Sequence, residues 1–226
     1  MTTRALLILA AAACGCGREP STTLPEPAPP RPAPTAAPAP PATPAVPTHR
    51  AQGAASRIVA AARREVERRT PYQPGYHRIP YPGGDVPSGG VCTDLVVRAF
   101  RGAGIDLQKQ VHEDMGAHFA AYPQLWGAGG PDANIDHRRV PNLMTFLRRQ
   151  GRWLPTGTTG ADAAGWRPGD VVFWDLPGGL KHCGVISDRP GRSGLPLVIH
   201  NIGQAAEEDC LTRWPIIGHG RAGIDG

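Results

Sequence analysis

The proline-rich stretch near the amino terminus limits what this chain can fold into. Of its 26 prolines, 12 fall between Pro20 and Pro47. A segment of Pro, Ala and Thr cannot bury a core and favours extended polyproline II, so we predict a disordered linker over residues 18–50. The folded part then forms one domain over residues 51–226, which is long enough for a core without metals or disulfide bonds.

Residues 1–17 have the pattern of an export signal. Arg4 supplies a positive charge, and residues 5–13 form an apolar run too short to span a bilayer. Small residues then lead to Cys14-Gly15-Cys16, which resembles the lipidation site of bacterial lipoprotein signals. The resemblance implies lipid attachment at Cys14 or Cys16, and hence a periplasmic protein that a lipid anchors to the membrane of the cell envelope. Simple secretion is the alternative.

The charge of the chain does not indicate nucleic-acid binding. The net charge is +5 and the isoelectric point is about 9.2, but the arginines are spread along the chain with acidic residues among them. Without a basic run, the composition supports only a mild preference for anionic partners.

A glycine-rich loop opens into an amphipathic helix at Cys92. Gly89-Gly90-Val91 precedes the cysteine, and apolar residues at helical spacing follow it as far as Gly104. At a helix start, unpaired N–H groups and the positive end of the helix dipole favour the thiolate, which is the nucleophilic form. Cys92 is therefore a candidate nucleophile; the alternative is a small buried residue that happens to begin a helix.

Helical spacing predicts three further helices, over residues 52–69, over residues 108–121 and after Pro141. Residues 72–90 form a loop rich in Pro, Gly and Tyr that we expect to line a cleft beside Cys92. The last third alternates instead, which predicts an antiparallel meander of strands over residues 169–175, 182–188 and 197–201.

The meander brings two histidines together. A hairpin centred near Gly191 sets His182 opposite or diagonal to His200 on one sheet face. A nucleophilic cysteine needs a base, and the base needs a polar group that orients it, so we predict Cys92, His182 and His200 in these three roles. Alternation sends Cys183 to the other face, which predicts that it is not the partner of the nucleophile; a disulfide between Cys183 and Cys210 stays open.

Four other residues are weaker candidates for substrate binding: Tyr81, Asp94, His112 and His137. Asp94 has an alternative role as a first-turn carboxylate that complements the helix dipole. His137 belongs to the run Asp136-His137-Arg138-Arg139, which either clamps a carboxylate or phosphate or forms a solvated helix cap.

The motifs around these residues resemble known families. Gly83-Gly84, then seven residues, then Cys92-Thr93-Asp94-Leu95-Val96 is similar to the nucleophile motif of NlpC-type cell-wall peptidases, as are Arg167-Pro168-Gly169-Asp170-Val171 and His182-Cys183-Gly184-Val185-Ile186. Residues 55–222 resemble more closely the bacterial domain of unknown function 1287, through motifs at residues 81–85, 91–94, 104–108, 136–139, 200–203 and 218–221.

The resemblance implies an α+β, papain-like fold of the NlpC type, in which the helix of Cys92 packs with further helices on an antiparallel sheet. It also implies amidase or peptidase chemistry on the peptides of peptidoglycan, with no cofactor and no metal, in a monomer. Val91 and Asp94 stand where the NlpC-type motif has aspartate and glycine, so its substrate pocket does not carry over. His200 fits the third catalytic position, Asn201 faces away, and His219 is a distant rival.

Three other functions use the same residues. A non-catalytic envelope-binding lipoprotein would keep the fold with an unreactive Cys92. A cysteine acyltransferase would differ only in the acceptor. A metallohydrolase would bind zinc through His182, His200 and either Asp94 or His137, although these residues lack tight metal-ligand spacing.

Overall fold

The computed structural model describes residues 53–221, so the predicted signal and linker, with Cys14 and Cys16, lie outside the described residues. Helices come first in this part of the chain and strands last. The helices are α1 (Gly53–Glu67), α2 (Cys92–Arg101), α3 (Leu107–His118), α4 (Val140–Arg149) and α5 (Gly160–Ala163). The strands are β1 (Val171–Asp175), β2 (Lys181–Pro190), β3 (Pro196–Ile202), β4 (Gln204–Glu208) and β5 (Ile216–Gly220), and short 3-10 turns span Phe119–Ala121, Asp136–Arg138 and Pro177–Gly179.

The strands form one antiparallel sheet in the order β4-β3-β2-β1-β5. The predicted meander is confirmed as β1, β2 and β3. Strands β4 and β5, which complete the two edges, were not predicted from the sequence. Gln204–Glu208 is mostly polar and Ile216–Gly220 contains two glycines, so pairing with neighbouring strands rather than local preference makes them extended. The fold is therefore a mixture of helices and an antiparallel sheet.

The two faces of the sheet bury different groups. One face packs against α1, α2 and α4, with α3 packed on α2 and α4, and its inward side chains are those of Val171, Phe173, Cys183, Val185, Ile199 and Ala205. We call this the helix face. The opposite face, which we call the loop face, buries Val172, Trp174, Ile186 and Val198 beneath Trp166, Leu195, Cys210 and Leu211. Strand alternation assigns neighbouring residues to opposite faces, as the sequence analysis expected.

Helices α1 and α2 cross closely on the helix face. A Cβ added at Gly102 would lie 2.5 Å from the Cβ of Ala61, so only glycine permits this approach. Helix α2 ends at Arg101, slightly before the predicted end near Gly104, and the 108–121 prediction divides into α3 and the turn Phe119–Ala121. No helix within residues 53–221 is both long and apolar enough to cross a membrane.

Candidate active site

Cys92 is the first residue of α2, and a hydrogen bond from the sheet holds the loop that precedes it. Asn201 on β3 faces the helix side, and its amide nitrogen donates to the carbonyl oxygen of Gly90 at 3.1 Å. Gly90 adopts φ +148°, and a Cβ there would lie 2.9 Å from the Cβ of Asp94. The Asn201 contact and the requirement for glycine fix the position from which α2 begins.

Asp94 closes the first turn of α2 and is buried. Its Oδ2 accepts a hydrogen bond from the backbone N–H of Val91 at 2.7 Å. Arg138 donates from Nε to Oδ1 at 2.9 Å and from Nη2 to Oδ2 at 3.0 Å, and the two side chains are 2% and 4% exposed. Both carboxylate oxygens are therefore engaged within the protein. This geometry supports the capping role of Asp94 and gives no support to substrate binding.

His182 and His200 lie side by side on the loop face. Gly184 pairs with His200, so His182 is its diagonal neighbour. The Nε2 atom of His182 is 2.9 Å from Nδ1 of His200. Trp174, directly opposite His182 on β1, stacks on the His182 ring with centroids 5.6 Å apart, and the Trp214 ring meets both imidazoles edge-on. The packing of these aromatic rings restricts both histidines to this orientation.

The sulfur of Cys92 interacts with the thiol and backbone N–H of Cys183 and with the side chain of His182. We predicted that Cys183 is not the partner of the nucleophile; its thiol nevertheless hydrogen-bonds to Cys92, and His182 is the histidine beside the same sulfur. Alternation does place Cys183 and His182 on opposite faces, but α2 packs on the helix face and its first residue lies at the end of the sheet where β2 begins. At that end, the Cys92 sulfur can interact with Cys183 from the helix face and with His182 from the loop face.

These contacts change the acidity of both thiols. The pKa of Cys92 lies well below its ordinary value, first because the Cys183 thiol hydrogen-bonds to the thiolate and then because His182 adds a hydrogen bond and charge, while burial opposes both. The helix N-terminus favours the thiolate as well. Burial and the neighbouring Cys92 raise the pKa of Cys183 well above its ordinary value. Of the two thiols, Cys92 therefore ionises more readily, because His182 and the helix N-terminus act on it.

His200 is neutral at physiological pH. Burial lowers its pKa to about 4, with a further contribution from the charge of His182. Its Nε2 atom is buried with no hydrogen-bond partner, and Oε2 of Glu208 is 3.7 Å away. A neutral imidazole accepts at one nitrogen and donates at the other, so Nδ1 of His200 can accept a hydrogen bond from the Nε2–H of His182 while its own N–H points towards Glu208.

Cys92 opens onto a cleft of about 330 Å³ with mainly apolar walls. Leu125, Trp126 and Leu180 are partly exposed there, and the Arg139 guanidinium lies over the Trp126 ring at 4.8 Å from its centroid. Tyr72 completes one wall; burial raises its pKa first, and the charge of Cys92 raises it further. The cleft thus combines an apolar surface with a cation, Arg139, on its wall.

The remaining substrate-binding candidates do not line this cleft. Nδ1 of His112 is 2.8 Å from Oδ2 of Asp136, and the rings of His112 and Tyr81 meet edge-on at 5.0 Å. His137 is buried, which lowers its pKa to about 4. The geometry therefore gives no support to substrate binding by Tyr81, His112 or His137.

His219, the rival third residue, belongs to a separate cluster. Its two ring nitrogens lie 2.8 Å from the Pro155 carbonyl oxygen and 2.8 Å from Oδ2 of Asp170. Both nitrogens are occupied there, and His182 pairs with His200 instead. His219 therefore has a structural role.

The zinc site considered for a metallohydrolase is not assembled: Asp94 pairs with Arg138, and within residues 53–221 the ligand atoms of His182, His200 and His137 form no cluster. Another set has ligand atoms within 4.8 Å of one another: His200, Glu208 and Cys210. Nη1 of Arg213 lies 2.5 Å from Glu208 Oε2, so its positive charge disfavours a cation there. Cys210 lies under the loop face and Cys183 on the helix face, and both are free thiols, so they form no disulfide.

Most residues of the cleft wall were not predicted from the sequence. Leu125, Trp126 and Leu180 come from loops without helical or strand periodicity, so no pattern marked them. Tyr72 does lie in the loop that was expected to line a cleft. In the run Asp136–Arg139, Arg138 clamps a carboxylate, that of Asp94, and Arg139 lines the cleft; the alternative of a solvated helix cap is wrong for Asp136, His137 and Arg138, which are buried.

Comparison with known proteins places the chain in a family. The model of the family described as Domain of unknown function (DUF1287) matches residues 59–222. Uncharacterized protein YijF of Escherichia coli (strain K12) is 51% identical over 166 residues, which cover 73% of this chain and 80% of that protein. No solved structure matches the chain significantly. A family match across most of the described residues, together with this relative, shows that the chain belongs to the DUF1287 family.

Proposed function

We propose that this protein is a cysteine hydrolase that cleaves an amide bond in peptidoglycan peptides. The observation that carries the proposal is the contact series from the Cys92 sulfur through His182 to His200, with 2.9 Å between the two imidazoles, at the wall of an open cleft. A low-pKa thiolate, a histidine beside it and a polar residue that fixes that histidine are the parts that nucleophilic acyl transfer requires.

The residues would act in two half-reactions. The Cys92 thiolate attacks the carbonyl carbon, and the developing oxyanion accepts a hydrogen bond from the Cys92 N–H, which has no intrahelical acceptor at this position. His182 then donates its proton to the leaving amine, which departs and leaves a thioester. His182 next removes a proton from water, whose oxygen attacks the thioester, and release of the acid restores the thiolate. Tyr72 is a second candidate donor to the oxyanion, because it lines the same cleft.

His200 would orient His182. When the thiolate and imidazolium are paired, His182 uses its Nε2–H to donate to Nδ1 of His200. His200 can accept because it stays neutral, given its pKa of about 4. The stacking of Trp174 on His182 supports the same orientation.

The papain-like, NlpC-type fold and the cell-wall substrate belong to this proposal. Support for them comes from the motif around Cys92, the strand motif at His182, and an antiparallel sheet packed against the helix of the cysteine. The sequence of residues 1–17 supports export and lipid anchoring in the cell envelope, and residues 18–50 would then act as the tether. We propose a monomer that needs neither metal nor cofactor.

Digestion of peptidoglycan and of its isolated peptides tests the proposal. We expect new amino groups to appear, detected by amine labelling and by mass spectrometry of the products. Alkylation of the protein with iodoacetamide should stop their release, whereas a chelator should have no effect, because the chemistry depends on a thiolate.

Other outcomes would favour the other functions. Release of amino groups that survives alkylation but is lost with the chelator would indicate a metallohydrolase. Product formation that depends on an added amine, which becomes joined to the acyl group, would indicate an acyltransferase. Binding to peptidoglycan without any product would leave an envelope-binding protein and contradict hydrolysis.

A further inference from the structure

A second thiol lies against the candidate nucleophile. Cys183 belongs to the same buried cluster as Cys92, because α2 packs on the sheet face that carries it. The Cys183 thiol and backbone N–H both interact with the Cys92 sulfur, and both cysteines are free thiols. General acid-base catalysis by His182 does not transfer a proton to or from this thiol, whose part in the hydrolytic mechanism ends with its hydrogen bond to the Cys92 thiolate.

The two sulfurs differ in how an oxidant can reach them. Cys92 lines the open cleft, whereas Cys183 is 0% exposed. A small peroxide entering the cleft therefore meets Cys92 first. Oxidation of cysteine proceeds through the thiolate, and a neighbouring thiol diverts the sulfenic acid into a disulfide before it is oxidised irreversibly. Cys92 and Cys183 have this arrangement, because the thiolate lines the cleft and the buried thiol hydrogen-bonds to it.

We propose that Cys92 and Cys183 are a redox modification site, in which peroxide converts the two thiols to a reversible disulfide. That the disulfide switches off hydrolysis rests on the function proposed above; its formation does not. The surroundings of Cys210 provide the contrast, because that free thiol is buried under the loop face and does not line the cleft.

The reaction has two steps. The Cys92 thiolate attacks one oxygen of hydrogen peroxide, the O–O bond breaks, and the released hydroxide takes up a proton to become water, which leaves a sulfenic acid on Cys92. The Cys183 thiol then loses its proton, its sulfur attacks the Cys92 sulfur, and the S–O bond breaks. The departing hydroxide leaves with that proton as a second water. Two thiols are oxidised by one peroxide, and a dithiol reductant reverses the change.

Peptide mapping of the full chain tests this directly. Trypsin releases the three cysteines of the described residues on separate peptides: Cys92 on residues 79–98, Cys183 on residues 182–192 and Cys210 on residues 193–213. Cys14 and Cys16 lie together on a fourth peptide, residues 5–18. After treatment with an equimolar amount of hydrogen peroxide, we expect peptides 79–98 and 182–192 to be joined. Hydrolysis should be lost and should return with dithiothreitol. Finding Cys92 only as sulfinic or sulfonic acid, or joined to another cysteine, would overturn the proposal.

Two variants sharpen the test. Cys183→Ser should abolish the joined peptide and make loss of Cys92 to sulfinic acid faster and irreversible, whereas Cys210→Ser should behave as the unaltered chain. If either variant fails to fold, peptide mapping of the unaltered chain still tests the proposal. If the joined peptide forms but the reduced protein hydrolyses nothing, the disulfide stands and the proposed hydrolase function fails. If the reduced protein hydrolyses its substrate but no joined peptide forms, the redox inference fails.

Discussion

Replacing Cys92 with alanine is expected to reduce hydrolysis of peptidoglycan peptides by at least about a thousandfold, because the acyl intermediate of the proposed mechanism forms on its sulfur. Cys92→Ser should lose nearly as much, since an un-ionised hydroxyl is a poor substitute for a low-pKa thiolate at the same position. The rate of release of amino groups at saturating substrate measures both. Because Cys92 is small and the rest of the cluster remains, both variants should fold.

Cys210→Ser is the matched control for this loss, because Cys210 is also a buried free thiol but lies on the other side of the sheet. It should keep the activity of the unaltered chain. Retention of more than about a tenth of the rate in Cys92→Ala would contradict a nucleophilic role for this residue.

The second large effect concerns stability. Arg138→Ala is expected to lower the free energy of unfolding by about 3–5 kcal/mol, because it leaves the carboxylate of Asp94 buried and uncompensated. Such a loss is a large part of the stability of an ordinary domain. The two side chains are only 2% and 4% exposed, so water cannot replace the missing guanidinium. The midpoint of urea unfolding measures the change.

A double variant separates the buried charge from the packing. Asp94→Asn with Arg138→Met removes both charges, keeps an acceptor for the Val91 N–H, and should regain part of the stability lost in Arg138→Ala. Lys109→Ala is the exposed control. Lys109 pairs with Glu113 at the surface, so this substitution should leave the midpoint of urea unfolding unchanged. An Arg138→Ala midpoint equal to that of Lys109→Ala would contradict this account of the pair.

The sequence predicts the histidine pair because strand alternation is insensitive to small errors of register. The hairpin places Gly184 rather than His182 opposite His200, a shift of two residues, and such a shift keeps every side chain on its face. The Cys92 helix start follows equally well from the glycines before it and the apolar spacing after it. These parts of the site depend on local rules.

The contact between Cys92 and Cys183 does not follow from such rules. Alternation assigns Cys183 to a face, but only tertiary packing decides which face α2 covers. The adjacent arginines show the same limit. Arg138 turns inward to Asp94, whereas Arg139 lies over Trp126 in the cleft, and nothing in the local sequence distinguishes two arginines that precede α4. Strands β4 and β5 likewise depend on partners distant in sequence.

The proposed mechanism depends on a Cys92 thiolate that His182 helps to ionise. The most direct measurement is the pH dependence of Cys92 alkylation by iodoacetamide, followed by mass spectrometry on the tryptic peptide of residues 79–98. Because the pKa of Cys92 is lowered, its alkylation should stay fast well below pH 8.5 and fall only as the pH drops through the lowered value.

In His182→Ala one of the interactions that lower this pKa is gone, so the profile should move towards that of an ordinary thiol. Cys210, whose pKa burial raises to about 12, should stay unreactive in the same samples and serves as the internal control. We expect the alkylation of Cys92 to stay fast at low pH in the unaltered chain and to lose this property in His182→Ala. A Cys92 profile centred near pH 8.5, or one unchanged in His182→Ala, would contradict it.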